Sequence, residues 1–245
     1  MKTWLLRLSV VLNLMVVVAL TWAWLSRYDF IRAFIYPMHE RKVSFFESYP
    51  VNTGDIVFLG DSITEGGEWA EMFPDERVKN RGIGGDITTG VLARLHQITA
   101  VQPAAIFIKI GTNDLTHGPE LLSTSYSQYR EIVNRIKAES PATRIYLQSL
   151  LPRDAEYKEQ VEAYNSEIEV IARETGSAYI DLYSHFVDTD GSIRNTFSND
   201  ELHLHGAGYQ LWQQLITPYL ETIPPQDRGK SPSPGDSVSR RPSLG

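Results

Sequence analysis

Cysteine is absent from the 245 residues. This excludes a disulfide scaffold, a thiolate nucleophile, an iron–sulfur cluster and any cysteine-ligated zinc, and it leaves the redox compartment open. Positive charge is in short supply: 23 Lys and Arg stand against 30 Asp and Glu, a net charge of −7. The deficit is concentrated in the middle of the chain. Residues 1–33 sum to +3 (Lys2, Arg7, Arg27 and Arg32 against Asp29), and residues 224–245 sum to +2 (Arg228, Lys230, Arg240 and Arg241 against Asp227 and Asp236), leaving −12 on the body between them. A body of that charge repels phosphate backbones, which argues against nucleic acid as a partner. Apolar residues make up 42% and charged residues 22%, an ordinary globular balance for one or two domains.

Long apolar runs are also missing, with one exception. From Leu8 to Leu25 the chain reads LSVVLNLMVVVALTWAWL without a charge. As a helix this run is about 27 Å long, close to the roughly 30 Å of a bilayer core. Trp22 and Trp24 fall at its far end, where an interfacial aromatic belt would hold them. Residues 1–30 are therefore expected to be an uncleaved membrane anchor or a cleaved signal peptide, the latter favoured by the small residues flanking Trp22. Either way the body is expected outside the cytoplasm. Residues 31–52 read as a lead-in without a clear period. From Pro224 onward Pro, Ser, Gly and Arg dominate, so residues 224–245 are expected to be a disordered tail.

Residues 53–223 alternate short β-branched runs with helical patterns. Strands are expected at Asp55–Leu59, Val78–Asn80, Ala105–Ile110, Arg144–Gln148 and Ala178–Leu182. Helices are expected at Thr64–Met72, Thr88–Gln97, Leu121–Glu139, Tyr157–Thr175 and Ala207–Leu220. Strands apolar throughout are buried on both faces, so the pattern predicts an α/β/α three-layer domain on a mainly parallel sheet of about five strands. Ligands bind such sheets beyond the strands' carboxyl ends. The residues there are Gly60-Asp61-Ser62, Gly82-Ile83-Gly84-Gly85-Asp86 and Gly111-Thr112-Asn113-Asp114.

Ser62, at a strand-to-helix turn, fits two roles: a helix cap, or an exposed nucleophile. Thr64 stands where the α/β-hydrolase elbow needs glycine. Of six histidines, His203 has Asp200 three residues before it. That spacing allows a carboxylate to hold Nδ1 and leave Nε2 to take a serine proton; it also fits a capping Asp beside a surface His. His203 and His205 lack a third ligand cluster or an HExxH, so no metal is expected. Gly82-x-Gly84-Gly85 lacks the third glycine of a dinucleotide fingerprint, which would fall at Ile87; no cofactor is expected. Trp69, Met72, Phe73 and Tyr157 can line a pocket or pack the core.

Gly60-Asp61-Ser62-Ile63, Gly85 in GIGGD, Asn113 in GTND and Asp200-x-x-His203 together resemble the four blocks of the SGNH (GDSL-type) hydrolases, in the right order. The likeness is nearest to the branch of platelet-activating-factor acetylhydrolase catalytic subunits and bacterial lysophospholipase-like esterases. The resemblance implies a flavodoxin-like fold, Ser62 as nucleophile, His203 as base and Asp200 as its orienter. It further implies an oxyanion hole made by the N–H of Ser62, the N–H of Gly85 and the Asn113 amide. The expected partner is a small-molecule acyl ester: an acetylated glycan, a lysophospholipid or an acyl thioester. An envelope O-acyltransferase using the same triad and a non-catalytic binding module are the alternatives.

Overall fold

The computed structural model describes residues 2–30, 36–74, 76–117 and 119–224. The chain divides into two compact units, Met1–Phe45 and Phe46–Gly245. The first contains α1 (Lys2–Phe30) and most of α2 (Tyr36–Ser48). Within α1 the stretch Arg7–Trp24 is long and apolar enough to cross a membrane, and none of it is buried.

The second unit is built on five parallel strands: β1 (Ile56–Gly60), β2 (Val78–Gly82), β3 (Ala105–Lys109), β4 (Arg144–Gln148) and β5 (Ala178–Ile180). Their order across the sheet is β2-β1-β3-β4-β5. This is the parallel α/β architecture that the alternating pattern predicts. Consecutive side chains on a strand point to opposite faces, and the two cores divide accordingly. Val57, Leu59, Ile106, Ile108 and Leu147 pack on one face against α5 (Thr88–Arg94), α7 (Pro119–Glu139) and α8 (Lys158–Thr175). Ile56, Phe58, Phe107 and Tyr146 pack on the other face against α4 (Trp69–Met72) and α10 (Gly206–Glu221).

Several elements depart from the sequence reading. The helix expected at Thr64–Met72 is broken at Gly66-Gly67 into α3 (Ser62–Glu65) and α4. The one expected at Thr88–Gln97 is broken at Leu95 into α5 and α6 (His96–Thr99). A short α9 (Tyr183–Phe186) follows β5. The lead-in contains α2, whose lone buried residue, Phe46, gives it no apolar stripe to betray a helix. Of the expected tail, residues 225–245 lie outside the described residues.

The register places the site. Gly60 pairs with Gly82 on one side and with Lys109 on the other. The three glycine-containing loops therefore leave the sheet side by side, with the Ser62 turn in the middle. Here the chain switches from one side of β1 to the other, the usual ligand position in an open α/β sheet.

Candidate active site

The turn after β1 is tight. A Cβ at Gly60 would lie 2.3 Å from the Lys109 carbonyl oxygen, so only glycine fits. Asp61 caps α3 by accepting the Ile63 N–H at 3.0 Å. The cap is thus Asp61, and Ser62 is the first helical residue, with its hydroxyl available for another partner. That partner is His203: Ser62 Oγ lies 3.0 Å from Nε2. His203 Nδ1 lies 2.7 Å from Asp200 Oδ2. A carboxylate oxygen can only accept, so Nδ1 carries the proton and Nε2 accepts from the serine.

The loop that carries Asp200 and His203 is held by its own carboxylate. Glu201 takes a left-handed φ of +60°. This lets the Leu202 and His203 N–H groups converge on Asp200 Oδ1 at 3.1 and 2.7 Å, joined by the Ser198 hydroxyl at 3.2 Å. Partial burial works against the Asp200 charge. The bonds from the His203 ring and from the two N–H groups outweigh it and hold the carboxyl well below its usual range.

The two flanking loops are braced from beneath. Gly85 has a φ of +74°, which a side chain would make unfavourable by roughly 1–2 kcal/mol. Gly84 donates its N–H to Glu65 Oε2 at 2.6 Å. The Asn113 amide donates to the Asp86 carbonyl at 2.8 Å, which orients the group and ties the second loop to the third. Buried Arg94 forms an ion pair with Asp86 at 2.9 Å and donates to the Arg81 carbonyl. Asp114 accepts from the Thr88 N–H and hydroxyl and from the Ser125 hydroxyl, which in turn meets the Tyr164 hydroxyl. Burial pushes the Asp114 carboxyl up, against those bonds. Arg153 donates to the Thr112 carbonyl at 3.1 Å and stacks on Tyr157 at 3.9 Å.

The sequence reading assigned no part to Arg94 or Lys109, and placed Glu65 and Arg153 only within loops expected to set specificity, Glu65–Phe73 and Pro152–Tyr157. Each is a charged side chain that looks like a surface residue until its distant partner is known. Among the pocket candidates, Trp69 and Phe73 belong to the core beneath the site. Met72 is half-buried and borders a groove of about 360 Å³, lined also by Gly66, Glu68, Tyr209 and Gln213, between the turn after α3 and the start of α10. Among the described residues no cluster of carboxylates and histidines could hold a metal ion.

A parallel sheet with these loops at its carboxyl edge is the framework of a hydrolase class. Residues 58–211 match the GDSL-like lipase/acylhydrolase family. The chain belongs to that family, the SGNH hydrolases, and is a hydrolase acting on ester bonds. It is 28% identical over 187 residues to platelet-activating factor acetylhydrolase IB subunit alpha1 of Rattus norvegicus, covering 72% of this chain and 79% of the relative. A GDSL-like lipase of Bacteroides thetaiotaomicron superposes with a TM-score of 0.64 at 22% identity, covering 75% of this chain and 97% of that one. A variant of an acetyl xylan esterase from Geobacillus stearothermophilus gives a TM-score of 0.57 at 22% identity, covering 70% and 95%.

Proposed function

We propose that this chain is a serine esterase that hydrolyses small acyl esters through a covalent acyl-enzyme. One observation carries the reading: a hydroxyl, an imidazole and a carboxylate stand in an unbroken hydrogen-bonded line, at 3.0 and 2.7 Å. Ser62 Oγ attacks the acyl carbonyl as His203 Nε2 takes its proton. Asp200 remains a carboxylate and stabilises the imidazolium. The oxygen that becomes negative is met by the N–H of Ser62, the N–H of Gly85 and the Asn113 amide. Such donors stabilise the transition state more than the bound ester. The tetrahedral intermediate then expels the alcohol, which takes the proton from His203. Water, activated by the same imidazole, releases the acid and restores Ser62.

A short acyl group agrees with the acetyl in the rat relative's name. The rim beside His203 is acidic: Asp154 pushes the Glu201 carboxyl up, with Asp190 and Glu156 adding to the same field. This favours a neutral or cationic alcohol part, as in an O-acetylated glycan or a choline-bearing lysophospholipid, over an anionic one. α1 exposes apolar side chains on every side, which suits lipid rather than water. In this reading α1 anchors the enzyme, with the second unit on the non-cytoplasmic face of the membrane.

A fluorophosphonate probe tests the nucleophile. It labels the wild-type chain at Ser62, and Ser62→Ala loses both the label and ester turnover. Labelling at another residue, or turnover that survives in Ser62→Ala, defeats the reading. Product analysis on a panel of acetyl, longer acyl and thioester substrates, with and without an acceptor sugar, separates hydrolysis from acyl transfer.

A further inference from the structure

The last residue of β3 is a lysine closed off from the surface. Lys109 is fully buried, and its Nζ has no hydrogen-bond acceptor among the described residues. Its nearest opposite charge is Asp61 Oδ1, 3.6 Å away and equally buried; the Trp212 ring centroid lies 5.7 Å off. Burial pushes the ammonium below its ordinary range, opposed by Asp61. Taking two charges out of water for one ion pair without a hydrogen bond is a poor route to stability, since apolar side chains of the same volume serve as well or better. The position of the pair gives it another use. Asp61 immediately precedes Ser62 and caps α3 through the same Oδ1 that faces the ammonium. Lys109 pairs across the sheet with Gly60, the residue before Asp61.

We propose that Lys109 is a positioning residue for the nucleophile: through its buried ion pair with Asp61 it fixes the strand-to-helix turn that holds Ser62 against His203. The pair gives the turn a second, charge-based hold from the neighbouring strand, in addition to the Ile63 N–H. The hold is local. The neighbouring Trp212 has a hold of its own, its indole N–H donating to Gln148 Oε1 at 2.7 Å.

The inference rests on Ser62 being the nucleophile. It is tested with Lys109→Met, Asp61→Asn and the double variant, by kcat, KM, rate of fluorophosphonate labelling and thermal melting. A displacement of about 1 Å at a reacting group costs on the order of a hundredfold. Lys109→Met is therefore expected to lose about tenfold to a hundredfold in kcat and in labelling rate, while KM stays within about twofold. The double variant removes both charges of this pair, and Asn caps a helix as well as Asp does. It is expected to melt near the wild-type temperature and to remain at least about tenfold slow. Wild-type rates in Lys109→Met, or full recovery in the double variant, would overturn the proposal, because the two charges would then only neutralise each other. A double variant that does not fold also overturns it, by making the pair a requirement of the fold. If Lys109→Met alone does not fold, the double variant decides by the same outcomes. Labelling and turnover that persist in Ser62→Ala would instead defeat the nucleophile itself, a result distinct from any of these.

Discussion

Asn113 offers the sharpest single-residue test of the proposed oxyanion hole. Its amide is oriented by the Asp86 carbonyl and donates without adding charge. Asn113→Ala should lower kcat by about 10²–10³, or roughly 2.7–4 kcal/mol of transition-state stabilisation, while the chain still folds. Steady-state kinetics beside a thermal melt checks both halves. Asp200→Ala should cost less turnover than Ser62→Ala or His203→Ala, since it orients the base and does not touch the ester. Asp200 also makes a prediction about pH. Its folded value is depressed below 3.8, so between those values the folded chain binds fewer protons than the unfolded one. Its stabilising contribution is present above that window and is lost as pH falls through it. The gap in melting temperature between wild type and Asp200→Ala should shrink as pH falls below about 4. The chemistry-bearing side chains were legible as a set because each sits just beyond a strand or before the last helix. The buried charges were not: Arg94 reads like a solvated helix arginine, and Lys109, though set in an apolar strand, gives no local sign of the Asp61 it faces.

Elements were legible in proportion to their burial. β1 and β3 are buried at every position and read directly as strands. β2 lies at the sheet edge, is only half-buried over its first three residues, and shows as a weaker signal. α8, with Val161, Tyr164, Ile168 and Ile171 all buried, carries the stripe its spacing predicts and stops at Gly176. α2 has one buried residue and left no trace. The break at Gly66-Gly67 is set by tertiary contacts: Asn80 donates to the Glu65 and Gly67 carbonyls and so holds the chain where a longer helix would have continued. One link between α5 and the loops is the Arg94–Asp86 pair, both side chains being almost wholly buried. Breaking a buried pair by removing one partner typically costs about 3–5 kcal/mol. Arg94→Met should destabilise the fold by about that amount in a denaturant titration. An unchanged midpoint would mean that Asp86 has found another counter-charge.

The whole chain joins an exposed apolar helix to a unit with its own sheet and two cores. Deleting residues 1–30 should therefore give a protein that stays in the supernatant with unchanged kcat/KM, while the full chain sediments with membranes and resists a carbonate wash. Loss of activity on deletion would make the helix part of the working enzyme. Ser62 and His203, the proposed nucleophile and base, are 141 positions apart in sequence and 3.0 Å apart in space. A chain growing from its amino end has completed β1 to β5 well before His203 exists. A product that stops short of residue 203 therefore carries the proposed nucleophile without its base, and in this reading activity begins only once both members of the pair have been made.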